Sequence, residues 1–246
     1  MLALESLSCG HGAITAVHGL SLAVEAGRIA ALVGPNGAGK SSTLMCIAGH
    51  VRATAGRVVM DGSPLDHLPP HERVRRGIAI APEGRRLFKT LSVEDNLRVG
   101  GMIHPAREFA RDRDRVLALF PRLRERIASL AGTLSGGEQQ MLAIGRALMA
   151  RPRLLLIDEL SLGLMPKVID ACYEALGRLR DEGLAILLVE QNTERVMSVA
   201  DTITVLESGE TVWRGTADAA RRDPSLLDAY LGTAAGPAAE EPPPPR

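Results

Sequence analysis

Three uninterrupted apolar runs stand out in the pattern of hydrophobic and polar positions. They cover residues 29–33, 154–157 and 185–189. Continuous apolar runs of this length are typical of parallel strands that are covered on both faces. Apolar residues at helical spacing, such as Met141, Ile144 and Leu148, occur between the runs. The pattern therefore predicts an α/β fold built on a parallel sheet.

A different pattern opens the chain. Residues 2–33 contain short segments in which apolar and polar positions alternate, separated by glycines. This alternation predicts a small antiparallel β layer beside the main sheet. Further short strands are predicted at 58–60, at 78–81, and as a hairpin-like pair, 202–206 and 211–213, around the turn Ser208-Gly209.

The region 91–130 is charged and helical in pattern, with Ser92 or Asp95 as a candidate N-cap. Acidic and basic residues interleave within 107–126, which favours a solvated helix face over a nucleic-acid contact. A final short helix is predicted at 224–231. The tail at 232–246 is rich in Pro, Ala and Glu, so it is expected to be disordered.

An eight-residue segment after the first apolar run fits the phosphate-binding pattern G-x-x-x-x-G-K-[ST] in the strand–loop–helix context that the pattern requires. Its glycines let backbone N–H groups surround anionic oxygens, and the following helix directs its positive dipole end toward them. Lys40 is expected to reach the β- and γ-phosphates, and the Ser41 hydroxyl to bind Mg²⁺. The segment is Gly34, Pro35, Asn36, Gly37, Ala38, Gly39, Lys40 and Ser41, and Ser42 is assigned to the same nucleotide site.

Two acids, Asp158 and Glu159, directly follow the second apolar run. Strand ends in parallel sheets line the crevice where ligands bind. Asp158 is therefore expected to hold the Mg²⁺ shell, and Glu159 to take a proton from attacking water. Alone, the two acids would fit a solvated strand end equally well, and the phosphate loop favours the functional interpretation.

A second glycine-rich segment, 134–140, opens a predicted helix. Ser135 is a good N-cap, and Glu138 three residues later completes a capping box, which is a fully structural explanation. That explanation does not account for Gly136 and Gly137, because adjacent glycines cost backbone entropy at a helix start. Close approach of a phosphate to the backbone does account for them.

In their order along the chain, these segments resemble the ATP-binding subunit of an ABC transporter. The resemblance runs from about residue 2 to residue 231 and includes 161–164 after the acids. It implies a P-loop NTPase (RecA-like) core with a small antiparallel β layer and a helical subdomain inserted at about 91–130. It also implies an ATP hydrolase that uses ATP and Mg²⁺. Ser135, Gly136 and Gly137 of one subunit would then bind the γ-phosphate held by its partner's loop.

Four positions depart from the usual pattern of that family. Glu83 stands where most members have a glutamine, and it is assigned to the metal site. Gln191 replaces a histidine near the γ-phosphate and is assigned to catalysis together with Glu159 and Lys40. Leu160 replaces a proline, and His11 replaces an aromatic residue that stacks on adenine, with less stacking area. The segments P-E-G-R-R and V-E-Q-N resemble one of the two ATPase subunits of branched-chain amino acid importers.

The composition of the chain indicates its cellular compartment and excludes some classes of partner. The formal net charge of the 246 residues is zero, which argues against a nucleic-acid partner. Cys9, Cys46 and Cys172 are scattered and odd in number, as expected for reduced thiols in the cytoplasm. No apolar run reaches the roughly 18 residues of a membrane span, and no signal peptide opens the chain. The chain is therefore expected at the cytoplasmic face of the inner (plasma) membrane, bound there through partners.

The resemblance implies three kinds of partner. They are two transmembrane permease subunits, a second ABC ATPase subunit or another copy of this chain, and a periplasmic or extracellular solute-binding protein that acts through the permeases. The expected function is to power an importer for branched-chain or other hydrophobic amino acids. Two alternatives stay open, an ATPase of an exporter or lipid transporter and a soluble ABC ATPase in DNA repair or translation. A P-loop kinase would lack the segment 134–140 altogether.

Overall fold

Two β-sheets and nine α-helices make up the part of the chain that the structure, a computed structural model, describes: residues 1–12, 14–191 and 193–222. The larger sheet has six strands. Its neighbouring strands run parallel, except for one antiparallel pair at an edge. In spatial order the strands are β10 (Glu210–Thr216), β9 (Thr202–Glu207), β3 (Ile29–Val33), β8 (Ala185–Glu190), β7 (Leu154–Asp158) and β6 (Ile78–Ala81).

The smaller sheet has four strands and is antiparallel, as the alternating pattern at the start of the chain predicted. Its second half differs from the prediction, because the strand expected at 58–60 begins at residue 53. The first residues of that strand are small or polar and carry no apolar signal, yet they pair with the first strand through the backbone. The order is β2 (Ile14–Val24), β1 (Leu2–His11), β4 (Ala53–Met60) and β5 (Ser63–Pro64).

The helices connect the strands and cover the larger sheet. No helix in the described ranges is both long and apolar enough to cross a membrane. Two short 3₁₀ turns, Ala106–Glu108 and Ala131–Thr133, add to the connections. The helices are α1 (Lys40–Ala48), α2 (Pro70–Arg75), α3 (Val93–Gly100), α4 (Phe109–Leu119), α5 (Pro121–Glu125), α6 (Gly136–Leu148), α7 (Pro166–Asp181), α8 (Thr193–Val199) and α9 (Ala217–Arg222).

Both faces of the larger sheet are buried, and successive residues of its central strands point to opposite faces. Ala31 and Leu188 belong to an apolar cluster shared with α6, α7 and the helices α3 to α5. Leu32 and Leu187 belong to a second cluster, shared with α1 and the smaller sheet. Burial on both sides explains why these strands read as continuous apolar runs, and it confirms the predicted parallel core.

Helices α3, α4 and α5 lie inside the region that was predicted to be helical. Of the two candidate N-caps, Ser92 caps α3, because its side chain accepts the Asp95 N–H at 3.0 Å. The hairpin predicted around Ser208-Gly209 is confirmed by β9 and β10. Its two turn residues have φ of 49° and 84°, the left-handed region that a two-residue hairpin turn requires. The helix predicted at 224–231 and the tail at 232–246 lie outside the described residues.

Asn96, which is fully buried in α3, joins this helix to the loop before it. Its Oδ1 accepts the Phe88 N–H at 3.0 Å, and its Nδ2 donates to the carbonyl oxygens of Phe88 at 3.0 Å and Ser92 at 2.9 Å. Asn96→Ala leaves these groups without their partner and should lower the free energy of unfolding by about 2–3 kcal/mol. Urea denaturation measures the change.

The control is Arg107→Ala, at a side chain that is 82% exposed. This change should alter the free energy of unfolding by less than about 0.5 kcal/mol. Equal effects of the two substitutions would contradict the role given to Asn96.

Candidate functional site

The predicted phosphate loop joins β3 to α1 and packs too closely for side chains at two of its glycines. A Cβ at Gly34 would lie 2.1 Å from the carbonyl oxygen of Leu206, and one at Gly39 would lie 2.5 Å from that of Ala16. At Gly37 a Cβ would meet no atom within 4 Å. The loop is therefore fixed against neighbouring strands on one side and open to a ligand on the other.

Lys40, the first residue of α1, is only 4% exposed. Its Nζ donates to the carbonyl oxygens of Gly34 at 2.8 Å and Pro35 at 3.0 Å. Burial lowers the pKa of Lys40, and the carboxylates of Glu159 and Asp158 oppose that shift. The ammonium group thus lies against neutral loop oxygens, and phosphate oxygens would be stronger acceptors in the same place.

Asp158 ends β7 next to the loop and is 1% exposed. It accepts a hydrogen bond from Ser41 Oγ, with 3.0 Å between the oxygens. Burial raises the pKa of Asp158, the Ser41 hydroxyl opposes this rise, and the carboxylates of Glu83 and Glu159 add to it. A hydroxyl and a carboxylate side by side, with a further carboxylate nearby, form the oxygen-rich surrounding that Mg²⁺ prefers.

These residues fit a metal ion that arrives with its nucleotide. Within the described ranges, no three His, Cys, Asp or Glu side chains are grouped so that they could hold a metal ion alone. Mg²⁺ usually keeps water and phosphate oxygens among its ligands and takes only one or two from carboxylates. Ser41 and Asp158, with Glu83 close to them, match that need.

Glu159 follows Asp158 in a strained backbone conformation, with φ of 51°. Its N–H donates to the carbonyl oxygen of Val189 at 3.0 Å. Gln191 Nε2 donates to Glu159 Oε1 at 2.5 Å and to Asn36 Oδ1 at 2.6 Å. Gln191 therefore bridges the candidate base and the phosphate loop.

An open cavity of about 440 Å³ lies between the loop and the ends of β7 and β8. It brings together most of the residues predicted from the sequence, with Asp158 beneath them. Sequence reasoning missed Ala16, a small apolar residue of β2 that carries no chemical signal. It also gave no individual role to Leu162, although this residue lies in the segment 161–164. The cavity is lined by Ala16, Asn36, Gly37, Gly39, Lys40, Ser41, Ser42, Glu83, Glu159, Leu162 and Gln191.

The serine-glycine motif lies outside this cavity lining, at the start of α6. The predicted capping box is present: Ser135 Oγ accepts the Glu138 N–H at 3.3 Å, and Glu138 Oε2 accepts the Ser135 N–H at 2.9 Å. Packing explains one of the two glycines, since a Cβ at Gly137 would lie 2.4 Å from Val168. A Cβ at Gly136 would make only ordinary contacts, the nearest at 3.4 Å to Arg85. Close approach of a phosphate to the backbone, the explanation inferred from the sequence, is thus needed to account for the glycine only at position 136.

The structure also locates His11 and Leu160, two residues that differ from the usual family pattern. His11 lies at the exposed end of β1, outside the cavity lining, so its contact with adenine stays a prediction. Leu160 is fully buried in the cluster between the larger sheet and α7. The leucine in place of the family's proline is therefore a core residue that anchors the chain directly after Glu159.

Asp158→Asn should stabilise the chain in buffer without nucleotide or metal. The pKa of Asp158 is raised in the folded chain, so its ionisation favours the unfolded state. Removing the charge should raise the free energy of unfolding by about 1 kcal/mol at neutral pH. The gain should vanish at acid pH, once the pH is below both the folded and the unfolded pKa, because Asp158 is then protonated in both states.

Thermal unfolding in EDTA over a pH series measures this effect, with Glu25→Gln, at an exposed residue directly after β2, as the control. A loss of stability in Asp158→Asn at neutral pH would contradict the account of this carboxylate.

The comparisons with known proteins agree with this geometry. The sequence profile described as "ABC transporter" matches residues 17–161. The chain is 47% identical to the high-affinity branched-chain amino acid transport ATP-binding protein BraG of Pseudomonas aeruginosa, over 94% of this chain and 100% of that protein. It is 32% identical to the lipopolysaccharide export system ATP-binding protein LptB of Escherichia coli, over 94% of this chain and 97% of that protein.

A solved structure described as the ATP binding subunit of an ABC transporter has a TM-score of 0.81 to this chain at 32% identity. The match covers 94% of this chain and 96% of that one. The matched profile spans the phosphate loop, the start of α6 and the two acids at the end of β7. On sequence, fold and site together, the chain belongs to the ABC transporter family.

Proposed function

We propose that this chain is the ATP-binding and ATP-hydrolysing subunit of an importer for branched-chain or other hydrophobic amino acids. The observation that carries the proposal is the 47% identity, over nearly the whole chain, to a branched-chain amino acid transport protein. Identity to the lipopolysaccharide export protein is lower, at 32%. Glu83 and Gln191 also favour an importer, because both lie in segments that resemble the importer branch.

The site residues take separate parts in hydrolysis. The loop N–H groups and Lys40 would hold the phosphates, and Ser41, Asp158 and Glu83 would hold Mg²⁺. The metal ion, when bound, neutralises charge that develops on the phosphoryl oxygens. Glu159 takes the proton of the attacking water. Gln191 orients that carboxylate through its hydrogen bond of 2.5 Å, and its second amide N–H, which reaches Asn36, is the uncharged donor available to the γ-phosphate.

A second subunit would complete the site. Ser135, Gly136 and Gly137 lie away from the cavity of their own chain, so we assign them to the γ-phosphate of a facing subunit. Leu162, which lines the cavity together with Glu159, is 59% exposed, and Met165 is 71% exposed; a facing subunit would cover both. That subunit is a second ABC ATPase or another copy of this chain.

The remaining partners follow from the proposed import function. Two permeases would hold the ATPase pair at the cytoplasmic face of the inner membrane. A solute-binding protein on the other side would deliver the amino acid through them. His11 would lie against the adenine, where imidazole offers less stacking area than a larger ring.

Glu159→Gln should slow ATP hydrolysis by the assembled transporter by at least about 10²-fold, because the amide cannot accept the proton of the attacking water. Nucleotide binding should stay, since Lys40 and the loop are unchanged. Steady-state phosphate release and binding of a fluorescent ATP analogue measure the two effects.

Glu174→Gln is the matched control, at a side chain that is 67% exposed on α7. It should hydrolyse ATP at the wild-type rate. Undiminished turnover in Glu159→Gln would remove Glu159 from the role of general base.

Purified alone, the chain should be a poor ATPase, because its serine-glycine motif completes a site only on a facing subunit. Activity should rise when the partner ATPase and permeases are added in membrane vesicles. It should rise further with a solute-binding protein loaded with leucine. Phosphate release across this series, with lipopolysaccharide as the alternative ligand, measures the coupling.

Two results would count against the proposal. Full activity of a proven monomer, independent of its concentration, would contradict the composite site. Stimulation by lipopolysaccharide and not by the loaded binding protein would favour the export alternative over import.

A further inference from the structure

A buried carboxylate beside the candidate site, Glu190, has no part in the hydrolysis proposed above. It ends β8 and is 1% exposed. Its Oε1 accepts the Ser161 N–H at 2.9 Å and the Tyr173 hydroxyl at 3.1 Å. Its Oε2 accepts the Ser161 hydroxyl at 2.9 Å and, more weakly, the Gln191 N–H at 3.4 Å. A buried carboxylate is costly unless its oxygens have donors, and here each oxygen has two.

Strand geometry directs Glu190 and Gln191 to opposite sides. Successive side chains along a strand alternate between its faces. Glu190 continues the face of Leu188 toward α7, and its partner Tyr173 lies on that helix. Gln191 reaches Glu159 and the phosphate loop instead. The two neighbours therefore hold one short segment, 159–161, at its two ends.

That segment leaves β7 through a backbone conformation that residues other than glycine seldom occupy, since Glu159 has φ of 51°. Such a conformation persists only where surrounding contacts determine it. The Glu159 N–H donates to the Val189 carbonyl oxygen at 3.0 Å, and Leu160 is fully buried. Ser161 is then bound twice by Glu190, through its backbone and through its side chain.

We propose that Glu190 is a positioning residue for ATP hydrolysis: through Ser161 it fixes the turn at Glu159 and so directs the general base into the cavity. The inference rests on the proposed role of Glu159. A carboxylate suits this task because its two oxygens accept the N–H and the hydroxyl of one residue together, which fixes both the position and the rotation of Ser161. The Tyr173 hydroxyl donates to the same carboxylate from α7.

The test uses three substitutions in the assembled transporter: Glu190→Gln, Ser161→Ala and Tyr173→Phe. Glutamine keeps the size of Glu190 and one acceptor oxygen, but it places a donor where the second oxygen was. We expect kcat to fall about tenfold, because a small displacement of a catalytic group has a large effect on rate. KM for ATP and the affinity for a fluorescent ATP analogue should change by less than about twofold, since the phosphate loop is untouched.

Ser161→Ala provides a second, milder measurement. It removes the hydroxyl donor, leaves the backbone hydrogen bond and should lower kcat in the same direction. The double variant Glu190→Gln/Ser161→Ala should be no slower than Glu190→Gln alone, because both changes act through one contact. Tyr173→Phe is the control, and it should lower the melting temperature while kcat stays within about twofold of wild type.

Three results would overturn the proposal. They are a wild-type kcat in Glu190→Gln, additive effects in the double variant, and a loss of kcat in Tyr173→Phe equal to that in Glu190→Gln. The last would show that the loss of kcat is not specific to the contact between Glu190 and Ser161. A different variant tests the assignment of Glu159 as general base. Undiminished hydrolysis in Glu159→Gln would show that this assignment is wrong.

Discussion

Burial of charge at the carboxyl edge of the parallel sheet is the constraint on which the rest of the structure depends. Lys40 and Asp158 are 4% and 1% exposed, and Glu159 and Glu83 lie beside them. Low exposure strengthens the electrostatic interactions of Lys40 and Asp158 and disfavours the charged form of both. The pKa of Asp158 is raised and that of Lys40 is lowered for this reason. A divalent cation would neutralise the carboxylates, and a polyphosphate would neutralise Lys40.

The fold holds the charged groups in place by fixing the ends of the strands that carry them. Both faces of the central strands are covered, so the ends of β3, β7 and β8 have little freedom to move. The chain turns at Glu159 immediately after β7, and Leu160 anchors that turn in the core. Gln191 and Glu190, neighbours at the end of β8, then hold the turn from its two sides. Packed strands and helices, and not a flexible loop, therefore fix the positions of the site residues.

Much of this architecture could be predicted from the sequence because its signals are local. The apolar runs predicted the parallel core, and the spacing of Gly34, Gly39 and Lys40 predicted the loop in its strand–helix context. The capping box at Ser135 was likewise visible, since its two members are three residues apart. These features depend on residues that are close along the chain.

The features that could not be predicted join residues that are distant along the chain. The contact of Gln191 with Glu159, and that of Glu190 with Ser161, arise only because β7 and β8 are neighbours in the sheet. The packing of Gly137 against Val168 requires knowing how α6 meets α7, which the sequence pattern does not specify. Gly137 therefore has a packing reason to be glycine in addition to its proposed contact with the γ-phosphate of a facing subunit.

The central claim is that the buried charges at this edge are balanced by Mg²⁺ and ATP together. The most direct measurement is thermal unfolding of the wild-type chain with Mg²⁺ alone, with ATP in EDTA, and with both. A ligand that binds the folded state raises the melting temperature, and the rise grows with the ratio of the ligand concentration to its dissociation constant. The account predicts a clear rise with Mg²⁺ and ATP together and a much smaller rise with either alone. An equal rise with ATP in EDTA, or no rise with both, would contradict it.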